Sequence, residues 1–280
     1  MTMEIRRLTG APLPVSPAVR GSMVSRGDSR APQRPAVWRV PEETPLAILL
    51  NGESFAVMMG TPADLEDFAV GFALTEGIID DLAQLTSLRI AEAADGFVLN
   101  LRLDPARVAA VADRRRSLPG RAGCGVCGAQ TIAAALPRPP KVAGAYPAVA
   151  ALEAAYAALP EFQAMKAENR STHSAAFCDL TGAIRLLRED IGRHNALDKL
   201  GGALARAGRD AGGGFILLSS RISVELVQKA AVLRVPFLAA VSAPSALALR
   251  LASDAGMGLA GLAGDDIMLF ETASIRETAA

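Results

Sequence analysis

Gly214-Phe215-Ile216-Leu217-Leu218-Ser219-Ser220-Arg221-Ile222-Ser223 is the stretch on which the fold turns. Four consecutive apolar residues leave a glycine-rich lead-in at 212–214 and end abruptly in serines and an arginine. A run this short and this apolar reads as a strand buried on both faces. The pattern repeats downstream: a helix is expected over 223–233, a strand over 236–241, the polar cluster Ser242-Ala243-Pro244-Ser245, a helix over 244–255 and a last strand near 267–271. Upstream, Ser174–Leu180 and Ala183–Arg188 read as strands joined at Thr181-Gly182, followed by a helix from Asn195 to Ala207. Strands alternating with helices predict an α/β sheet covered on both sides.

Polar residues gather where these strands end. Arg188-Glu189-Asp190-Ile191-Gly192-Arg193-His194-Asn195 follows one strand, Ser219 to Ser223 the next and Ser242 to Ser245 the third, and each opens a helix. Open α/β sheets bind ligands at the carboxyl ends of strands, and helix N-termini with hydroxyl side chains suit phosphates. Arg193, His194, Ser219, Arg221 and Ser242 are therefore candidate contacts to an anionic ligand. The plainer reading makes Asn195, Ser223 and Ser242 N-caps and pairs Asp190 with Arg193. Cys178, in an apolar strand, reads as an inert core thiol.

Before this half lies a smaller α+β unit. Leu46–Leu50 and Phe55–Met59 flank Asn51-Gly52, a hairpin signal, and Leu88–Ala91 and Phe97–Leu103 flank Asp95-Gly96. Thr61-Pro62-Ala63-Asp64 reads as a helix start with Thr61 as N-cap, and Leu65, Phe68, Ala69, Phe72 and Ala73 follow at helical spacing. The expected divisions are a disordered leader over 1–36, rich in Arg, Pro and Ser, an α+β subdomain over 37–120, a cysteine loop and linker over 121–146, and the α/β domain over 147–280. Lys+Arg and Asp+Glu are equal at 29 each and aromatics are 4% of the 280 residues, which argues against nucleic acid. No apolar run approaches the roughly 20 residues that span a bilayer. An odd count of 3 cysteines fits a reducing compartment, so a cytoplasmic protein is expected.

Two of those cysteines stand in Gly123-Cys124-Gly125-Val126-Cys127-Gly128. Structural zinc needs four ligands, and His173 and His194 are too distant in sequence to give the usual spacing, so no metal is expected. A thioredoxin-type site would follow a strand, whereas this pair follows a basic helix (Pro105–Leu118) and a Ser-Leu-Pro-Gly turn. What remains is a nucleophilic thiol on a glycine-rich loop.

Taken together, Gly60-Thr61-Pro62-Ala63-Asp64-Leu65-Glu66-Asp67-Phe68, the cysteine hexapeptide, Arg188 to Lys199 and Ala240-Val241-Ser242-Ala243-Pro244-Ser245 make the chain resemble the FdhD/NarQ family from about Glu42 to Thr272. The resemblance implies a sulfur carrier that takes persulfide sulfur from a cysteine desulfurase on Cys124, with Cys127 as its partner. The sulfur passes to the molybdenum bis(molybdopterin guanine dinucleotide) cofactor before insertion into the formate dehydrogenase catalytic subunit. It also implies a sulfurtransferase, a cytidine-deaminase-like C-terminal fold, a homodimer, and a cofactor-binding stretch at Leu262-Ala263-Gly264-Asp265-Asp266-Ile267. A non-catalytic cofactor-binding chaperone of a molybdoenzyme is the alternative. The chain departs from the family pattern in three places. Asn169-Arg170-Ser171 stands where Thr-Gly-Gly is usual, Ser219-Ser220-Arg221 where Ser-Gly-Arg is usual, and Asp265 and Asp266 where arginines are usual.

Overall fold

The computed structural model describes residues 4–8, 15–26, 32–115 and 137–270. The first sheet is built from β1 (Glu4–Leu8), β4 (Thr44–Leu50), β5 (Glu53–Gly60), β6 (Leu85–Ala93) and β7 (Gly96–Leu103), in the order β1-β6-β7-β4-β5; β2 (Ala18–Met23) and β3 (Arg34–Arg39) form a separate two-stranded ribbon. Along β4 the side chains Thr44, Leu46, Ile48 and Leu50 are buried and those between are half-exposed, the period of two that marks a sheet with one face in a core. That face packs on α1 (Leu65–Thr75) through Leu46, Ile48, Phe68, Phe72, Leu88, Ile90, Leu99 and Leu101. Asn51 and Gly52 both take positive φ, 52° and 92°, as a two-residue turn with the twist of its strands requires. A further helix, α2 (Pro105–Arg115), follows β7.

The second sheet runs β13-β12-β11-β10-β8-β9. Its strands are β8 (His173–Asp179), β9 (Ile184–Asp190), β10 (Gly214–Leu218), β11 (Phe237–Ala240), β12 (Gly258–Ala263) and β13 (Asp266–Phe270). β10, β11 and β12 are parallel, while β8, β9 and β13 pair antiparallel with their neighbours. Five further helices lie among the described residues: α3 (Val149–Phe162), α4 (Ala164–Asn169), α5 (Arg193–Arg206), α6 (Val224–Val232) and α7 (Ala246–Ala255). α5, α6 and α7 cover one face through Leu197, Leu200, Leu226, Val227, Leu251 and Ala252. The other face, with Phe215, Leu217, Phe237 and Ala239, meets Leu152, Ala155 and Leu159 of α3. Every residue of β10 and β11 is buried, as continuous apolar runs anticipate for a sheet sandwiched between helices. The protein is thus mixed α/β.

The two sheets are joined through α1 and α5. These helices approach so closely that a β-carbon on Gly71 would overlap the Asp198 carbonyl, and one on Gly202 the Asp67 carbonyl. Charges close the same contact: Arg188 Nε lies 2.8 Å from Asp67 Oδ2, and Arg206 pairs with the other oxygen of that carboxylate.

Three expectations change. Within the leader expected to be disordered, Glu4–Leu8 pairs in parallel with β6, and 18–23 pairs with 34–39. Composition alone missed β1 because its partner β6 lies far along the chain, and it missed β2 and β3 because their almost wholly exposed residues show no alternating buried face. Thr61 does not cap α1; Asp64 holds the N-cap position at φ 50°, and the Thr61 hydroxyl accepts instead from the Ile191 amide at 3.0 Å. The second hairpin turns at Ala94-Asp95, since Ala93 is paired with Gly96. Gly96 is wanted for another reason: a β-carbon there would overlap the Pro45 carbonyl of the neighbouring strand.

Candidate functional site

The carboxyl ends of β10, β11 and β12 lie side by side, and the chains leaving β10 and β11 stay paired beyond the sheet. Val241 N donates to Leu218 O at 3.0 Å, Ser245 N donates to Ile222 O at 3.1 Å, and Ile222 bridges Pro244. β8 runs the other way, so its first residues join this edge. Ser219 N donates to Ser174 O at 3.0 Å, and Ser174 N donates back to Ser219 Oγ at 2.7 Å. Asp190, the last residue of β9, stands opposite His173. Leu262 to Ile267 forms the tight turn from β12 into β13, with Gly264 at φ 69°, at the same edge. Ser219, Arg221, Ser242 and the 262–267 turn are therefore brought to one edge, as the strand order requires.

α5, α6 and α7 all begin here, and their N-termini supply backbone N–H groups and the positive end of the helix dipole. Ser245, not Ser242, caps α7, its Oγ accepting from Ala248 N at 3.2 Å. Ser223 occupies the N-cap position of α6 without accepting an amide there, and Asn195 lies inside α5. The N-cap readings of Ser242 and Asn195 therefore give way. Ser242 is left half-buried beside the loop ends, and Arg221 is exposed.

His194, from the first turn of α5, meets the first turn of α6. Its Nε2 lies 3.3 Å from Ser223 Oγ and 3.7 Å from Glu225 Oε2. Burial pushes the Glu225 carboxyl up, but the hydrogen bonds from His194, its own N–H and Ser223 outweigh this and hold it below the ordinary glutamate range. His173 is pushed down from the usual histidine value, first by burial and then by Arg193 and Lys166. It is neutral at physiological pH, so the positive character of the edge rests on the arginines and helix ends.

Directly behind the edge is a buried polar network. Asp190 and Lys199 pair at 2.6 Å with both side chains fully buried. Asp190 Oδ2 also accepts from Thr61 N at 2.9 Å, and Oδ1 accepts from Gly192 N at 2.8 Å and Asn195 Nδ2 at 3.0 Å. Lys199 Nζ donates to Thr61 O at 3.0 Å, and Asn195 Nδ2 to Met59 O at 2.7 Å. Asp190 is thus the partner of Lys199 rather than of Arg193, because Lys199 rises from the second turn of α5 under the loop. The network ties the end of β5 to residues 190–195 and fixes the backbone that carries Arg193 and His194. Lys199, Thr61 and Glu225 were not singled out as site residues. The signal for Lys199 was its place between Ala196 and Leu200 on the apolar face of α5, where a lysine survives only when paired.

A second buried cluster joins α1, α5 and α6: Lys229 Nζ reaches Asp198 at 2.9 Å and 3.0 Å, Thr75 Oγ1 at 2.9 Å and Glu76 Oε1 at 2.8 Å. Burial pulls Lys229 down, but Asp198 and Glu76 outweigh it and keep the ammonium above the ordinary lysine range. Cys178 is fully buried, and burial, helped by Asp179, pushes its thiol up to about 12, which bears out its reading as an unreactive core thiol. Cys124 and Cys127 lie outside the described residues. Among the described residues no group of three His, Cys, Asp or Glu side chains is placed to hold a metal ion. No described helix is long and apolar enough to cross a membrane.

Residues 41–274 match the model of the FdhD/NarQ family. The chain belongs to that family. The matched span contains both motif regions that meet at the edge, around Thr61 and from Asp190 to Lys199, and it leaves out β1, β2 and β3. Among similar FdhD/NarQ proteins, one from Xanthomonas euvesicatoria pv. vesicatoria named "Sulfur carrier protein FdhD" is 49% identical over 227 residues, 81% of each chain. Another of that name, from Bordetella petrii, is 46% identical over 224 residues, 80% of this chain and 81% of that one. A crystal structure described as that of a formate dehydrogenase accessory protein from Desulfotalea psychrophila superposes with a TM-score of 0.69 at 20% identity. It covers 92% of this chain and 97% of that one, which shows the shared fold.

Proposed function

We propose that this chain is a sulfur carrier serving formate dehydrogenase, loading sulfur as a persulfide on Cys124 and delivering it to a molybdenum guanine-dinucleotide cofactor held at the edge of the second sheet. The observation that carries the reading is the near-half identity, over most of the chain, to proteins named as sulfur carriers. In the loading step the Cys124 thiolate attacks the outer sulfur of a desulfurase persulfide; a new S–S bond forms, the donor's breaks, and the electron pair leaves on the donor thiolate. Attack of the Cys127 thiolate on the inner sulfur would then close a disulfide and release the outer sulfur as hydrosulfide, with a dithiol reductant restoring the pair.

The donor set suits the nucleotide ends of such a cofactor. Arg193 and Arg221 can grip phosphate oxygens, Ser219 and Ser242 can donate hydroxyl hydrogens, and the N-termini of α5 and α6 add backbone amides. Asp265 and Asp266 are exposed on the β12–β13 turn and would repel phosphates. Carboxylates accept hydrogen bonds from the N–H edge of guanine, so this turn is assigned to the base rather than to the phosphates. The cofactor supplies the metal that accepts the sulfur, and the chain binds and orients its nucleotide arms.

The test is incubation with a cysteine desulfurase and cysteine followed by intact mass spectrometry. A gain of one sulfur that disappears in Cys124→Ala is expected. A chain that takes up no sulfur, or takes it up equally in Cys124→Ala, would leave the non-catalytic cofactor chaperone as the better reading.

A further inference from the structure

The ribbon β2–β3 stands apart from both sheets, and nearly all of its residues are exposed. Cross-strand partners share a face, so Val19 with Trp38 and Met23 with Arg34 lie on one side, and Arg20 with Val37 and Ala18 with Arg39 on the other. Val19, Met23, Val37 and Trp38 are 47%, 48%, 66% and 43% exposed. Between 15 and 40 the described residues include Arg20, Arg26, Arg34 and Arg39 and no carboxylate. A two-stranded ribbon in water is marginal on its own, and among the described residues this one is held at its base. Arg39 donates to Ser16 O at 3.0 Å, Asn169 Nδ2 donates to Ser16 Oγ at 3.2 Å, and the Arg170 guanidinium stacks 4.6 Å from the centre of the Trp38 ring. Asn169 Oδ1 in turn accepts from Thr172 N at 3.1 Å, the residue before His173. The clamp therefore places the ribbon beside the β8–β9 end of the candidate site.

We propose that the ribbon is a docking arm for the client protein that receives the loaded cofactor, and that it recognises an apolar groove with an acidic rim. This rests on the reading above that the chain hands its cofactor to formate dehydrogenase. Charge decides the rim, since the sequence from 15 to 40 carries five arginines (Arg20, Arg26, Arg30, Arg34 and Arg39) against the single carboxylate of Asp28, an excess complementary to an acidic surface. Exposed Trp, Met and Arg are the side chains that anchor protein interfaces. Apolar side chains on both faces of the ribbon favour a groove over a membrane, because a flat bilayer can bury only one face. Their exposure also sets the ribbon apart from a surface built only to neutralise nucleic-acid phosphates. Position selects the client over the sulfur donor, for the ribbon flanks the edge assigned to the cofactor.

The experiment measures binding of the full chain to immobilised, cofactor-free formate dehydrogenase catalytic subunit by biolayer interferometry. The wild type is compared with Arg20→Glu/Arg34→Glu, with Trp38→Ser, and with Arg250→Glu, exposed on the outer face of α7, as a charge control. Persulfide loading by the desulfurase is read in parallel by mass. The expected result is wild-type binding that weakens with salt, a loss of about tenfold or more in both ribbon variants, no change in Arg250→Glu, and unaltered persulfide loading. Ribbon variants that bind as the wild type does, a wild type that does not bind the subunit, or a ribbon-dependent loss of desulfurase, RNA or anionic-vesicle binding instead would overturn the proposal. Ribbon-dependent docking by a chain that takes up no sulfur would remove the sulfur-carrier reading and leave the docking arm standing.

Discussion

At the scale of single residues, Lys199 carries the clearest consequence. It is fully buried, and its ammonium satisfies Asp190 and the Thr61 carbonyl together. Replacing it with an apolar side chain of similar length leaves the Asp190 carboxylate buried without its counter-charge. Lys199→Met is therefore expected to cost about 3–5 kcal/mol in urea denaturation. The double variant Asp190→Asn/Lys199→Met should cost less than Lys199→Met alone. The neutral amide it introduces keeps an oxygen that can accept from Thr61 N or Gly192 N, and it strands no charge. A double variant as destabilised as the sum of the two single variants would mean that the pair does not act as a unit. The sequence displayed the lysine on an apolar helix face, but its partner ends strand β9, and its approach depends on how β9 leads into α5. Pairing Asp190 with Arg193 followed sequence proximity, and the helix geometry chose a residue deeper in α5.

Secondary elements were more legible where one physical signal dominated. β10 and β11 showed themselves as continuous apolar runs, and the Asn51-Gly52 hairpin through the turn its dihedrals demand. β12 went unread because Gly258-Leu259-Ala260-Gly261-Leu262-Ala263 has little β propensity; its small residues serve close packing, with a β-carbon on Gly258 overlapping the Phe237 ring. The same demand for small residues governs the crossing of α1 and α5, on which the junction of the two sheets depends. Gly71→Ala would drive a methyl into the Asp198 carbonyl, and backbone cannot step aside as a flexible side chain does. We expect a loss of about 3 kcal/mol or more, read as a fall in the urea midpoint, against little change for Gly21→Ala, where the ribbon is open around the α-carbon. Comparable midpoints for the two variants would show that the helices can separate at little cost.

For the molecule as a whole, the shifted groups predict a stability plateau with two different shoulders. His173 is neutral in the fold because burial, Arg193 and Lys166 oppose its proton, whereas the unfolded chain binds that proton near the ordinary value of 6.5. Its contribution is therefore present above 6.5 and declines as the pH falls below it. Glu225, held below its ordinary 4.5, adds a loss in the same direction at lower pH. Burial pushes the Asp198 carboxyl up, with Lys229 and Thr75 opposing, so this group favours the fold as acid is added and blunts that second loss. On the alkaline side Cys178, pushed up to about 12 from 9.0, keeps its proton in the fold, so stability drops as the pH rises above 9.0. Lys229, held above its ordinary 10.5, extends the drop beyond that value. The expected profile of urea midpoints is flat between about pH 7 and 9, with the first acid shoulder assigned to a single histidine. His173→Asn should flatten the midpoint change between about pH 7.5 and 5.5 and leave the alkaline shoulder untouched. An acid shoulder that persists unchanged in His173→Asn would place the proton uptake elsewhere, and the neutral state of the histidine at the site edge would have to be given up.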